Sequence, residues 1–562
     1  MLGHWRDVGP VAEEPLGRAG QGRLRKVFSD TMQGEVRRRF SRRFQIDMVW
    51  EGILVGVVGG GVVTLYRMAL TLAERTLRGL LPDFLSSGQG LLCFAALAVA
   101  CCLAVTTLVR WERHTSGSGI PQTDAEVMGR MDMPWHRVLA AKFSEGVLCA
   151  LAGLSLGREG PSVQLGGMGG KAVSRLLGRK RGEERLLVTC GAAAGMSAAF
   201  NAPLTGVLFA IEEIHKEFAP SLIVSAMASA IASDFLVAQV LGVRPVLKLA
   251  FIKDIPHDYY LYVVALGVFC GLAGALHNRG MFACNERLFA RMGEMPLQLR
   301  LAIPFALAIP VARLAPDLLC GGDAIVELLS VPAAVPLGTL ALLLMGKYLY
   351  TTVCFGAGTP GGTLFPLCVM GMLCGAVFAA VLTRITGMQS LFMANFMALG
   401  IAGLFASVVR APVTAVVLAF ELTGSMDALL SVSIVSIVSY VVANLTKTDP
   451  FYERLLSKLL DLTPVDPSAN GVPGEKILHT YTVGAGSRLE GRALGEVGWP
   501  DDSRIVTVSR AGVDLVPNGE TILEALDEIL VIMNTDTEAE TQELILDYCR
   551  SSLATGKVPR IG

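Results

Sequence analysis

Between Ile46 and Leu445 the chain passes through one apolar segment after another. Runs such as Gly90–Val109 and Leu429–Ala443 hold no charged residue at all. A hydrocarbon layer is crossed by about 20 apolar residues in a helix, and within it each backbone N–H and C=O needs a partner inside the protein. Roughly a dozen or more candidate segments restrict the chain to one class, an all-α polytopic membrane protein. Only 17% of residues are charged, against about 25% in a soluble domain, and mean hydropathy is +0.53. Several segments are short or interrupted by Gly and Pro, which predicts broken or half-spanning helices. Irregular backbone at membrane depth is tolerated only where protein buries it or where it lines a wet cavity.

The first 46 residues carry ten Lys/Arg against five Asp/Glu, with Arg37-Arg38-Arg39 and Arg42-Arg43 just ahead of the first span. No apolar h-region precedes them, so the stretch does not read as a signal peptide. A basic segment of about 1–45 reads as cytoplasmic, and a solvated flexible tail is compatible with that. Net charge is −1, which gives no reason to expect a nucleic acid partner. The twelve cysteines are scattered through apolar segments without a C-x-x-C pair. They read as small apolar residues, so no metal site, cofactor or disulfide framework is expected.

The membrane part, 46–461, repeats itself. NAPLTGVLFAIEE (201–213) and RAPVTAVVLAFEL (410–422) share Ala, Pro, Thr, Val, Ala and Glu at one constant spacing. PSVQLGGMGG (161–170) and PLCVMGMLCG (366–375) align so that Pro161 falls on Pro366, Gly166 on Gly371 and Gly170 on Gly375. The halves are about 46–240 and 255–460. Duplication with Gly/Pro breaks at matching places is a transporter pattern, and the breaks point to the binding site. The sequence leaves open whether the repeats are inverted.

After Asp461 the composition changes. LTPVDPSANGVPGE (462–475) reads as a linker. Strand-like runs follow at 477–483, 504–510 and 528–533, separated by Gly, Asp-Asp and Pro-Asn-Gly turns. They predict a small soluble α+β domain at 476–536. A tail of 537–562 follows, with a closing helix near Glu538–Tyr548.

A helix that starts inside a membrane offers unpaired N–H groups and a positive dipole end, an anion site without fixed charge. GSGIPQ (117–122), GREGPSV (157–163) and GAGTPGGTLFP (356–366) have this look, with glycines that permit close backbone approach and Ser118 adding a hydroxyl donor. Glu159 is itself an anion that can sit at such a helix end. Protonation would free it and let another anion take its place. A structural pair with Arg158 is the plain alternative. Glu212 and Glu213 could simply mark a helix leaving the membrane. Glu421, the repeat partner of Glu212, favours a structural role for that pair and leaves Glu213 as the extra acid. Lys142 could be a buried countercharge or an interfacial residue, and Tyr452 alone would read as an interface aromatic.

Taken together, GSGIPQ, GREGP, AAFNAPLTGVLFAIEE (198–213), PGGTLFP (360–366) and RAPVTAVVLAFELTG (410–424) resemble the CLC family of chloride channels and proton-coupled chloride transporters. The likeness covers about 46–460, with the motifs in the right order. It implies a homodimer of inverted-repeat subunits in a bacterial inner membrane, both termini cytoplasmic, each subunit with its own pore. It also implies an anion held by the hydroxyls of Ser118 and Tyr452 and by backbone at Gly119, Ile120, Gly160, Thr363 and Leu364. Glu159 would be the external gating glutamate and Glu213 the internal proton acceptor, with Arg158 and Lys142 in support. Ser118 would favour chloride. Two departures stand out. The usual G-x-F-x-P is here GTLFP, with Leu364 in the place of the Phe and Phe365 one residue on. Gln122 stands where many relatives have Glu, with little effect expected. The region 486–523 resembles the C-terminal subdomain of RCK/TrkA potassium-transport regulators, with Leu526 where a Gly-Asp turn is common. That implies a regulatory module, binding a small ligand or dimerising, against the alternative of a passive appendage.

The reading that follows is coupled exchange of chloride against protons, with a passive chloride channel on the same fold as the alternative. A membrane enzyme is disfavoured, because no H-E-x-x-H, G-x-S-x-G or cofactor fingerprint is present. An organic-anion transporter built on half-helix ends remains a further alternative.

Overall fold

The computed structural model describes residues 42–216, 218–242, 255–289, 296–330, 335–424, 429–462, 476–510, 513–534 and 537–550. The basic stretch at 1–41, nearly all of the expected linker and the last twelve residues lie outside these.

The first half contains α1 (Arg42–Ser86), α2 (Gly88–Trp111), α3 (Ile120–Val127), α4 (Trp135–Leu151), α5 (Glu159–Leu176) and α6 (Arg181–Phe200). It ends with α7 (Pro203–Phe209), which continues into a π-helical turn at Ala210–His215, and α8 (Pro220–Leu241). The second half contains α9 (Tyr260–Ala283), α10 (Leu297–Leu314), α11 (Asp323–Leu328), α12 (Leu337–Gly356), α13 (Leu364–Thr386) and α14 (Met393–Val409). It closes with α15 (Pro412–Thr423), α16 (Leu429–Leu445) and α17 (Phe451–Leu462). Among the described residues eight helices are long and apolar enough to cross a membrane, and α15 and α16 are shorter apolar helices. The sequence count of a dozen or more is reached only with short or more polar helices. α3 and α5 are buried almost throughout by protein, so they need no lipid-facing apolar surface. Peripheral helices turn Leu72, Leu92, Leu103, Leu342 and Leu445 outward, as a bilayer-embedded surface requires.

The two halves pack by the same rule. A Cβ on Gly166 would lie 2.2 Å from the Gly191 carbonyl oxygen, and one on Gly170 2.1 Å from that of Leu187. The matched Gly371 and Gly375 would meet the Gly400 and Phe396 carbonyls at 2.8 and 2.0 Å. Without a hydrophobic drive between helices in lipid, small residues let backbones close in, and contact between them holds the pair. Hence α5 on α6 and α13 on α14 form matching tight pairs.

The repeated Ala-Pro-x-Thr segments meet each other. Pro203 and Pro412 open α7 and α15, leaving the N–H groups just behind them without intrahelical partners. Thr414 N–H and its hydroxyl donate to Glu212 Oε2 at 2.9 and 2.6 Å. Thr205 N–H and its hydroxyl donate to Glu421 Oε2 at 2.7 and 2.6 Å. The start of each helix therefore meets the end of the other. That antiparallel, reciprocal contact fixes the repeats as inverted.

The C-terminal domain is an antiparallel sheet in the order β1-β4-β2-β3, with β1 Lys476–Thr482, β2 Ser503–Arg510, β3 Val513–Leu515 and β4 Glu528–Asn534. The closing helix, α18 (Glu538–Cys549), puts Ile545 and Cys549 into the same core as Tyr481, Ile529 and Val531. The compact domain therefore reaches past the expected boundary at 536. It contacts the membrane part through ion pairs of Glu538 with Arg185, at the start of α6, and of Glu543 with Arg130 at 2.8 Å.

Candidate anion and proton site

Three glycine-bearing loops meet where α3, α5 and α13 begin, and backbone ties them. Gly157 and Gly362 exchange both hydrogen bonds, at 2.6 and 2.8 Å. Gly117 donates to the Gly358 carbonyl at 3.3 Å and accepts from Gly361 at 3.0 Å. Gly119 adopts φ +100° as the residue capping α3, a conformation that L side chains resist. Gln122 holds this turn from both ends: its Oε1 accepts from Gly119 N–H at 3.0 Å and its Nε2 donates to Ser116 O at 2.7 Å. A glutamate at 122 would supply only the first bond, so this departure from the family pattern has a structural use.

Lys142 is wholly buried and donates to the carbonyls of Thr115 and Gly117 at 2.8 and 2.7 Å. It braces the loop that carries Ser118 and lies away from any interface. Its counterpart was not singled out from the sequence. The spacing that carries Pro161 onto Pro366 also carries Lys142 onto Lys347, which is equally buried and donates to Cys320 O at 2.7 Å and Leu318 O at 3.2 Å. Applying the repeat spacing to charged residues, as well as to Gly and Pro, would have found it.

Glu159 is the first residue of α5 and has no exposed surface. Its Oε2 accepts the Phe365 N–H at 3.0 Å, in the first turn of α13. Its Oε1 has no hydrogen-bond partner and lies 3.9 Å from Arg158 Nε. Phe365 faces Arg158 with its ring, 5.1 Å from guanidinium carbon to centroid. The GTLFP departure thus keeps a backbone donor for the carboxylate and places an aromatic face beneath the neighbouring arginine.

Ser118 Oγ is buried and has no partner within the protein. It sits beside Gly160, where a Cβ would meet it at 2.5 Å. Thr363 caps α13 and Leu364 opens it, both buried. Tyr452, near the start of α17, is buried beside Thr363. Phe209 and Phe451 lie edge-on to its ring. The structure therefore brings Ser118, Gly119, Ile120, Glu159, Gly160, Thr363, Leu364 and Tyr452 to the meeting point of three helix starts. Such starts present N–H groups and partial positive charge. A hydroxyl without a partner in the protein and a carboxylate already occupying one end make this a candidate anion site.

Glu213 is buried within the π-helical turn, a local insertion often found at functional positions. Beside it Lys216, at φ +59°, pairs with Asp124 of α3 at 3.2 Å. The turn thus carries an acid in a charged corner beside α3. The one acidic trio with metal-like spacing among the described residues, Glu126, Asp132 and Glu184, is taken by Lys171, Arg175 and Arg181.

The family described as voltage gated chloride channel matches residues 96–444, and the TrkA-C domain matches 478–546. The H(+)/Cl(-) exchange transporter ClcA of Vibrio cholerae serotype O1 is 31% identical over 438 residues, 74% of this chain and 92% of that protein. The protein of the same name from Yersinia pestis bv. Antiqua is 29% identical over 375 residues, 66% of this chain and 78% of its own. Among solved structures, a slow cyanobacterial Cl-/H+ antiporter superposes with a TM-score of 0.70 at 26% identity, covering 74% of this chain and 98% of that one. A eukaryotic CLC transporter superposes at 0.62 with 21% identity, over 82% of each chain, and shows the shared fold.

Proposed function

The chain belongs to the voltage-gated chloride channel family, and from that premise we infer that it exchanges chloride for protons across a membrane. The observation that carries this reading is the Glu159 carboxylate, buried at a helix start and held by a backbone N–H of the opposite repeat. An anion arriving at the unpartnered Ser118 hydroxyl competes with that carboxylate for the same positive end. Glu159 leaves once it takes up a proton, because the neutral acid no longer draws on the N–H donor and the dipole as an anion does. Chloride then fills the vacated end. Loss of the proton to one side and return of the carboxylate expel the chloride, so the two ions move in opposite directions. Glu213, buried beside α3, accepts protons on the side of the C-terminal domain. A channel needs no acid there, and its presence favours exchange over passive conduction.

In this reading the protein works as a homodimer in a bacterial inner membrane, with both termini and the TrkA-C domain in the cytoplasm. That domain is a regulatory module for a small ligand. Ser118 sets a preference for chloride.

The test is proton movement in sealed proteoliposomes under an imposed chloride gradient, for the native chain and for Glu159→Gln and Glu213→Gln. Uphill proton movement in the native chain, lost in both variants while chloride still flows, is expected. Chloride flux without proton movement in the native chain would establish a channel. Absence of chloride flux would move the reading to an organic anion.

A further inference from the structure

A cavity of about 30 Å³ adjoins the gate, lined by Tyr66, Glu74, Arg158, Asp323 and Phe365 among others. That is room for a water, which needs roughly 10–15 Å³ and polar partners. Two carboxylates and a guanidinium provide the partners. The cavity lies away from the C-terminal domain. α5 has 18 residues, running from Glu159 to Leu176 just ahead of α6, whose start carries Arg185, which places the ends roughly 27 Å apart. The cavity is at the Glu159 end, walled by Gly157 and by Cys149 at the close of α4.

The inverted repeat makes the Asp323 loop of this cavity the counterpart of the Ser118 loop. The spacing that relates Lys142 to Lys347 also relates Gly117 to Gly322 and Ser118 to Asp323. Gly117 and Gly322 both take positive φ, +72° and +121°. Each lysine braces the loop before its short helix through two carbonyls. One half presents a hydroxyl donor at that position, and the other presents a carboxylate. A hydroxyl donor suits an anion. A carboxylate opposes an anion and holds a proton.

Resting on the exchange reading above, we propose that this cavity is the proton entry to Glu159 from the face opposite the C-terminal domain, with Glu74 and Asp323 as its proton-holding groups. Arg158 stands between them and the gate, with its Nε unpartnered and its guanidinium over the Phe365 ring. Gly321 makes room for that ring, since a Cβ there would meet Phe365 at 3.0 Å. The charged and titratable groups facing Glu74 are Asp323 of α11, Arg158 at the start of α5, Arg78 one turn on in α1, and Lys347 of α12; Glu159 lies just beyond Arg158. The Tyr66 hydroxyl and the thiols of Cys149 and Cys320 complete the wall. A proton passes from bulk water to Glu74 or Asp323, then through cavity water to Glu159 Oε1, the oxygen left without a donor. The donating carboxyl returns to its anion, so charge and protons balance.

The experiment uses the full chain in proteoliposomes, with Glu74→Gln and Asp323→Asn combined. Proton-coupled exchange is measured from pH 5 to 8, beside passive chloride flux of the same pair in a Glu159→Ala background. The expected result is a loss of exchange of about tenfold near neutral pH, recovering toward acid pH, with the proton-to-chloride ratio kept. Chloride flux in the Glu159→Ala background stays as it was. An unchanged pH profile overturns the proposal. So does an equal loss of flux in the Glu159→Ala background, which marks a structural role and also reports a folding failure. Failure of the exchange reading itself would show separately, as chloride flux without proton movement in the native chain.

Discussion

At the residue scale, the unusual positions are those where this chain departs from its relatives, and each has a local cause. Phe365 gives its N–H to Glu159 and its ring to Arg158. Leu526 takes φ +71° with its side chain largely exposed. A left-handed backbone costs an L residue about 1–2 kcal/mol, which glycine avoids at some loss of chain entropy. Leu526→Gly is therefore expected to stabilise the C-terminal domain by about 1 kcal/mol or slightly less, read as slower hydrogen exchange in β4. Asp527, its neighbour, is equally local. Burial alone would raise its carboxyl, but both oxygens accept from Arg510, at 2.8 and 2.7 Å, and one also accepts the Glu524 N–H. The net result is a carboxyl held below its usual range. A lowered folded value stabilises above the unfolded value of about 3.9 and is lost as pH falls through the folded one. Exchange protection of β4 should fall below about pH 4. Asp527→Asn should protect less at neutral pH and flatten that acid limb. An unchanged limb would reject the assignment.

At the element scale, the half-helices and their buried braces set the geometry. Two lysines without exposed surface each close a loop through two carbonyls. Removing one leaves acceptors unsatisfied, at about 1–3 kcal/mol apiece. Lys347→Met and Lys142→Met are accordingly each expected to lower the thermal midpoint of the detergent-solubilised protein markedly. Lys347→Arg should be no better than partial rescue, because a planar fork does not fit a pocket shaped for an ammonium. A Lys347→Met protein as stable as the native chain would show that the carbonyls find other donors. The paired glycines of α5 and α13 were legible because a missing side chain repeats visibly in sequence. The Glu212–Thr414 and Glu421–Thr205 contacts were half legible. The repeat marked Glu212 and Glu421 as partners in kind, but only the fold shows that each serves the other half.

At the scale of the whole molecule, the membrane class, the duplication and the change to a β-rich domain could all be read from composition and spacing. These are properties of long stretches, which local irregularity does not blur. The three motifs that meet at the candidate site stood out in the sequence, since Gly and Pro interruptions in apolar helices have few other uses. Several features were not legible. The Phe365 and Gln122 bonds depend on backbone direction at a helix start. The cavity with Glu74 and Asp323 draws on residues about 250 positions apart, with no motif between them. The expected domain end at 536 was short because α18 reads as an exposed acidic helix, while the few apolar residues that seat it on the sheet, Ile545 and Cys549, are sparse.

The crossing of the three loops is made of main chain, with Gly157 bonded to Gly362 and Gly117 to Gly358 and Gly361. This limits how such a protein can diverge. Point substitutions cannot retune a peptide group, and those that add a side chain to these glycines break the frame. Descendants can change their ion preference or gating only through the few side chains that project into the crossing, such as Ser118, Leu364, Phe365 and Tyr452. Among relatives, variation should therefore gather at those positions while the glycines beside them stay fixed.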